Sequence, residues 1–320
     1  MINSPSISDC TSESILQAAV ALKSGHLVAF PTETVYGLGA DASNEKAVNK
    51  VYKVKERPLN HPLIVHVSSL QGMKLWAVDI PEYAYKIAEE FWPGPVTLIL
   101  KRSNLARDFI TGGQDSIGIR IPSHPIALRL LEQFENLGGL GVAAPSANRF
   151  GRVSATSAQD VEDELGHRFG SEDRILDGGY SKIGIESSIV DCRDFLPRIL
   201  RPGAVTKSLF SNVTNFSEEE VSGDLRVSGS LSHHYSPSAN VFLDVEPLPG
   251  QGFLALAKFS TPQKVIRLGS PRTNHEFAQI LYSTLRKADT LGIGQIVIWQ
   301  PEGEGLEVAI RDRLKRASQN

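Results

Sequence analysis

Leu27-Val28-Ala29-Phe30-Pro31-Thr32-Glu33-Thr34-Val35-Tyr36-Gly37-Leu38-Gly39-Ala40-Asp41-Ala42 decides the fold class of this chain. Its first four residues make an apolar strand candidate. Hydroxyls, a carboxylate and two glycines follow, and a helical pattern then covers 44–54, with Ala47, Val48, Val51 and Tyr52 as its apolar stripe and Ser43 as its expected cap. A strand that gives way to a polar loop ahead of a helix is the α/β arrangement in which ligands bind outside the carboxyl ends of strands. The two glycines suit a tight turn there. Working outward, strand candidates recur at 63–67, 96–100, 117–121, 140–144 and 189–192, with helical patterns between several of them. In 124–137, Pro125 fits the first turn, and Ala127, Leu130, Leu131 and Phe134 share one face. Helices mixed among strands predict an α/β sheet.

At 320 residues the chain is long enough for two domains, and its 41% hydrophobic content supports a sizeable core. No apolar run reaches the ~18 residues of a spanning helix, so no membrane association is predicted. Met1-Ile2-Asn3-Ser4-Pro5 lacks the basic and apolar regions of an export signal. Two cysteines, Cys10 and Cys192, exclude a disulfide framework and predict a cytoplasmic protein. No Cys/His cluster has zinc spacing. A net charge of −3 gives no global pull toward nucleic acid.

Composition changes near residue 207. Residues 207–238 are rich in Ser, Glu and Gly and are read as a linker, with Leu225-Arg226-Val227 as a candidate extended piece. Beyond it the order is strand (241–243), strand (252–256), strand (264–266), helix (near 274–290), strand (296–298), helix (near 305–317). The predicted division is therefore residues 1–206, a linker over 207–238, and a smaller α/β domain over 239–320.

Several constellations could carry chemistry. Gly37-Leu38-Gly39-Ala40-Asp41-Ala42 matches G-x-G-x-x-A, but where a dinucleotide site needs a ribose-binding acid ~20 residues on, this chain has Lys55 and Arg57. That cationic pair, in the exit loop before Pro58, suits a phosphate; Lys46, Lys50 and Lys53 read as a solvated helix face. In Ser116-Ile117-Gly118-Ile119-Arg120-Ile121 the isoleucines face one way, and Ser116, Gly118 and Arg120 face the other, where glycine leaves room for a ligand. Ser146 and Asn148 follow a small-residue strand, compatible with close approach to a ligand or with a simple Asx turn. Glu186-Ser187-Ser188 precedes a strand in the same way. His66 fits a core histidine as well as a ligand contact. Neither G-x-S-x-G nor Walker A is present, which disfavours serine hydrolases and P-loop ATPases.

Taken in order, these segments resemble the YrdC-like family of threonylcarbamoyl-AMP synthases in its long, two-domain form. The resemblance rests on Pro31 to Leu38, Lys55-x-Arg57, Pro62 to His66, Phe91-Trp92-Pro93-Gly94-Pro95-Val96-Thr97, Pro145-Ser146-Ala147-Asn148, Glu186 to Asp191 and Leu200-Arg201-Pro202-Gly203. It is strong over 12–205 and extends through His234-Tyr235-Ser236-Pro237 to the 305–314 segment. It departs at Glu56, where the family has Gly, and at His61, where it has Asn. Val227 to His233 also replaces the family's Pro-Gly-Met and basic residues.

What the resemblance implies is a twisted open mixed sheet with a concave cleft, a smaller Rossmann-like C-terminal domain, and a linker passing over the active-site cleft. The implied reaction joins L-threonine, bicarbonate and ATP into threonylcarbamoyl-AMP, by carbamate attack on the ATP α-phosphate with loss of pyrophosphate. Mg²⁺ is the implied cofactor. A downstream tRNA threonylcarbamoyl-transferase complex would use the product at position 37 of tRNA, and a weak RNA contact stays open. By resemblance, Thr34, His66, Arg120, Ala144 and Ser187 line the threonine pocket. Arg57, His61, Ser116, Ser146, Ser154, Arg201 and Tyr235 contact ATP. Lys55 and Arg57 are the expected catalytic cations, both exposed to the cleft, and Asn148 supports the nucleotide site. Two other classes fit less: a carbamoyl-transfer module of the hydrogenase-maturation type, which wants acylphosphatase and zinc-finger segments, and an RNA-binding module, which wants a broad basic stripe with aromatics.

Overall fold

A computed structural model describes residues 7–217, 225–227, 229 and 235–319. The run Met1 to Pro5 and, in the linker, Ser228, Ser230, residues 231–233 and His234 lie outside the described residues. Ten strands form the main sheet: β1 (Ile7–Asp9), β2 (Val28–Phe30), β3 (Gly37–Asp41), β4 (Ile64–His66), β5 (Val96–Lys101), β6 (Ser116–Arg120), β7 (Val142–Ala143), β8 (Arg174–Asp177), β9 (Ser188–Asp191) and β10 (Arg198–Arg201). Their order is β1-β8-β2-β3-β7-β4-β6-β5-β9-β10, with parallel pairs such as β4/β6 and β5/β9 beside antiparallel ones such as β2/β3 and β5/β6.

Gly37 and Gly39 are not turn glycines; they lie within β3, which runs antiparallel to β2 with Phe30 opposite Gly37 and Val28 opposite Gly39. A Cβ on Gly39 would come within 2.9 Å of the Phe30 ring and 2.8 Å of Val142 Cγ1. The glycines therefore make room for a core aromatic ring. The loop 31–36 still leaves the carboxyl end of β2, so the ligand-binding position survives the correction.

Alternation along the strands sorts the core into two layers. Val28, Phe30, Val142 and Leu176 pack with Ile15, Leu22, Leu130 and Phe134 of helices Ser12–Lys23 and Pro125–Asn136. Ala29, Leu38, Val65, Leu98 and Ile119 belong to the larger cluster with Val48 and Val51 of helix Glu45–Lys55 and Ile87 of helix Glu82–Phe91. Pro125 occupies the first turn of its helix, as predicted. The 45–55 helix is capped by Asn44, whose Oδ1 accepts from the Ala47 N–H at 3.2 Å, rather than by Ser43. Ser43 is instead held by Asp41, whose Oδ1 accepts its N–H at 2.9 Å. Strands β1, β3, β8 and β10 were not among the sequence candidates. Most of these are short or partly exposed runs without a sustained apolar pattern.

Four parallel strands make the second sheet: β11 (Asn240–Leu243), β12 (Gly252–Leu254), β13 (Ile266–Gly269) and β14 (Gln295–Ile298), in the order β11-β14-β12-β13. Helices Asn274–Thr290 and Leu306–Ala317 pack Phe277, Leu281, Leu285, Ile310 and Leu314 against it. The third strand starts at Ile266, two residues later than the sequence suggested. Between the sheets, Lys207–Ser211 is a short helix that buries Phe210. Residues 225–227 are not a strand; Gln114 clasps the Arg226 main chain, donating to its carbonyl at 2.9 Å and accepting its N–H at 2.8 Å. Val227 packs with Ile99 and Ile189.

Candidate functional site

Ser116, Gly118 and Arg120 lie on the face of β6 away from the isoleucine core, as the alternation predicted; Arg120, with Ile64 and His66 of β4, lines a cavity, whereas Ser116 and Gly118 line a smaller hollow beside it. The 31–36 loop, the 144–146 segment, and Gly229 and Tyr235 of the inter-sheet region complete the cavity's walls.

Thr34, His66, Arg120, Ala144 and Ser187 line it. Thr32 organises the loop: its hydroxyl donates to the Val35 carbonyl at 2.6 Å and lies 2.8 Å from the Thr34 hydroxyl. Arg120 donates through Nη2 to Glu33 at 2.7 Å and through Nε to the Gly94 carbonyl at 3.2 Å. Its Nη1 has no hydrogen-bond partner among the described residues. His66 is buried, with Nδ1 unbonded among the described residues. Burial first, and then Arg120, push its pKa down to about 3, so the ring is neutral at ordinary pH. Ser187 Oγ meets Thr97 Oγ1 at 2.8 Å and accepts from Arg201 Nη2 at 3.2 Å.

Arg57, Ser146, Arg201 and Tyr235 line the same cavity. Arg57 donates to the Pro62 carbonyl at 2.8 Å, and its guanidinium sits 5.3 Å from the Phe150 ring. Arg201 donates to the Ser187 carbonyl through Nε and Nη2 at 3.0 and 2.9 Å. Burial lowers the pKa of both, Arg57 to about 10, and an incoming anion would favour their charged forms. His61 stacks edge-on against Phe150 at 5.0 Å, beside Arg57.

Five sequence-predicted residues, His61 among them, stand behind the wall or beside it. Lys55 is 1% exposed, not open to the cleft as the sequence suggested; its Nζ donates to the carbonyls of Ser146, at 2.6 Å, and Asn148. Arg57, at 7% exposure, also lies deeper than expected. Asn148 donates to the carbonyls of Arg149 and Arg152 at 2.7 and 2.8 Å and so shapes the same loop. Ser154 is buried and donates to Glu186 at 2.6 Å. Ser116 lines a small neighbouring hollow with Gln114, Gly118 and Val227. A larger hollow around Arg102, Arg107 and Asp108 contains none of these residues.

Sequence reading missed the roles of Thr32, Glu33, Glu186 and Arg313. Two of them carried a usable signal. Glu33 and Glu186 are acids in segments otherwise bound for burial, and a buried carboxylate requires a cation. The partner cations, Arg120 and Arg313, are far off in sequence. Glu186 accepts from Arg313 Nε at 2.8 Å, and Arg313 has no exposed surface.

Two family profiles together span most of the chain. The Sua5/YciO/YrdC family, described as "Telomere recombination", matches residues 20–203. The "Threonylcarbamoyl-AMP synthase, C-terminal domain" matches residues 204–319. A threonylcarbamoyl-AMP synthase of Pyrococcus abyssi is 37% identical over 94% of this chain and 93% of its own length. That of Bacillus subtilis is 34% identical over 95% and 92%. Among solved structures, P. abyssi Sua5 complexed with L-threonine aligns at a TM-score of 0.86 and 35% identity, covering 96% of this chain and 95% of that one.

Proposed function

The chain belongs to the Sua5/YrdC family in its two-domain, threonylcarbamoyl-AMP synthase form, and on that premise we propose that it makes threonylcarbamoyl-AMP from L-threonine, bicarbonate and ATP. The observation that carries this reading is a single cavity. Thr34, His66, Arg120, Ala144 and Ser187, matched to a threonine pocket, face it together with Arg57, Ser146, Arg201 and Tyr235, matched to a nucleotide site.

The chemistry suits such a wall. Threonine and bicarbonate give a carbamate and water. A carbamate oxygen attacks the α-phosphorus of ATP, the bond to the bridging oxygen breaks, and pyrophosphate leaves. No protein nucleophile is required, so the protein's work is orientation and charge. Arg120, held by Glu33 and Gly94, presents Nη1 to the threonine carboxylate. Neutral His66 keeps that pocket free of a second titrating charge. Arg57 and Arg201 supply positive charge from buried positions toward the phosphates.

The described residues do not fit a resident Mg²⁺ site. They contain no group of three or more His, Cys, Asp or Glu placed to hold a metal ion, and the two carboxylates near the cavity are bound to Arg120 and Arg313. Mg²⁺ would enter as part of its ATP complex, carried largely by phosphates and water. The product would pass to a transferase acting on adenosine 37 of tRNA. Among the described residues no helix is long and apolar enough to cross a membrane.

Pyrophosphate release from ATP by the purified chain tests the reading. Release that needs both threonine and bicarbonate, with serine a poorer substitute, is expected. No release, or release indifferent to threonine, would overturn it.

A further inference from the structure

Glu186 lines the cavity, yet its carboxylate is satisfied chiefly from the other sheet's side of the molecule. Oε1 accepts from Ser154 Oγ at 2.6 Å; Oε2 accepts from Tyr282 Oη at 2.9 Å and from Arg313 Nε at 2.8 Å. Tyr282 lies in helix 274–290 and Arg313 in helix 306–317, both packed on the second sheet. Arg313 also donates to the Pro202 carbonyl at 3.1 Å and to Asp312 at 2.6 Å. Its guanidinium sits 5.4 Å from the ring of Tyr235, which stacks on Tyr282 at 5.6 Å. One buried cation thus touches two cavity-lining residues, Glu186 and Tyr235, without lining the cavity itself.

Packing alone does not call for this arrangement. A buried ion pair is weak evidence for stability, and apolar side chains of similar volume join two units as well. A cavity for a triphosphate and a carbamate has a specific difficulty with Glu186, however. A carboxylate in its wall repels both substrates unless a cation stands behind it.

We propose that Arg313 is a positioning residue for the nucleotide half of the site: it neutralises Glu186 from behind, holds it against Ser154, and backs the Tyr235 ring. The second unit would then contribute to ATP binding through this residue. The inference rests on the synthase reading, but its readout is ATP affinity rather than turnover.

The experiment is calorimetric titration of the full chain with ATP, and separately with threonine, for wild type, Arg313→Met, Glu186→Gln and the double variant. Arg313→Met removes the cation hydrogen-bonded to Glu186 and leaves that anion offset by Arg201 alone, so ATP affinity is expected to fall about tenfold or more, with threonine affinity within about twofold. The double variant removes the anion too, and ATP affinity is expected to return to within about threefold of wild type. Glu186→Gln alone keeps the Arg313 charge and is expected to bind ATP more tightly, so the inference stays decidable if Arg313→Met fails to fold. Arg313 acting only as glue between the units predicts a lower Tm, equal losses for both ligands and no rescue, and that pattern overturns the proposal. So does Glu186→Gln binding ATP no more tightly than wild type. Absence of ATP binding by the wild type would sink the synthase reading itself, whereas binding that Arg313→Met leaves untouched would sink this inference alone.

Discussion

Arg120 Nη2 and Glu33 Oε1 meet at 2.7 Å across 87 residues of chain, and both side chains are more than nine-tenths buried. Glu33 Oε2 also accepts the Ser123 N–H at 3.1 Å, so one carboxylate ties the 31–36 loop to β6 and to the turn before helix 125–136. Removing Glu33 strands a buried guanidinium, which typically costs about 3–5 kcal/mol. Glu33→Ala is expected to lose stability of that order in chemical denaturation, with Glu33→Gln intermediate because its amide oxygen still accepts from Arg120. A loss below about 1 kcal/mol would mean that Gly94 and solvent already satisfy Arg120.

Glu56 ends helix 45–55 in a left-handed conformation, with φ 53°. A residue with a Cβ is strained there by about 1–2 kcal/mol, whereas glycine is not. What Glu56 offers in return is a pair with Arg168 at 2.9 Å whose carboxylate is largely exposed, worth about 0–1 kcal/mol. Glu56→Gly is therefore expected to raise stability by roughly 0.5 kcal/mol after allowing for the greater freedom of unfolded glycine. A measured decrease would show that the Arg168 pair outweighs the backbone strain.

Much of this architecture was legible in the sequence because periodicity reports burial directly. The isoleucines of β6, the stripe of helix 45–55, the first-turn Pro125 and the strand and helix order of the second sheet all follow from it. Gly37 and Gly39 were misread because glycine marks a turn and a close approach equally well. Only the Phe30 ring across the ladder distinguishes the two. Site residues were legible as a set of motifs but not as a layer structure. Lys55 and Arg57 stand two apart, yet one braces a loop and the other lines the cavity. No local rule separates those roles, since the difference lies in where Ser146 and Asn148 return to meet the helix end. The Glu33–Arg120 and Glu186–Arg313 pairs are longer-range still.

Acid sensitivity should come in two windows. The His66 pKa is pushed below its usual 6.5 to about 3, chiefly by burial. Between those values the unfolded chain binds a proton that the folded chain refuses, so this stability is fully present above pH 6.5 and drains as pH falls toward 3. Glu186, drawn down from 4.5 to about 2 by Arg313 and Arg201 against the cost of burial, contributes stability that is present above 4.5 and lost toward 2. Tm measured from pH 7.5 to 4 is expected to fall less steeply in His66→Gln than in wild type between 6.5 and 4.5. His61 and His124 are shifted downward too, so some slope remains. Parallel slopes for the two proteins would mean that His66 charges in the folded state well above pH 3.

Lys55 offers the sharpest division between two readings of one residue. If its ammonium served phosphate directly, Lys55→Met would keep its fold and lose only ATP affinity. The geometry predicts otherwise. Nζ is buried and donates to the Ser146 and Asn148 carbonyls, and burial, with Arg57 adding to it, holds its pKa well below the usual lysine value. Two carbonyls that Nζ now satisfies would be left unmatched, at about 1–3 kcal/mol each. Lys55→Met is therefore expected to lose about 3 kcal/mol or more of stability in chemical denaturation. Its ATP affinity should fall as well, because Ser146 moves with the released loop. Threonine affinity should change less, since Arg120 and Thr34 are anchored by Glu33 and Thr32 instead. A Lys55→Met protein as stable as wild type but unable to bind ATP would return Lys55 to the phosphates and remove the loop brace from the account.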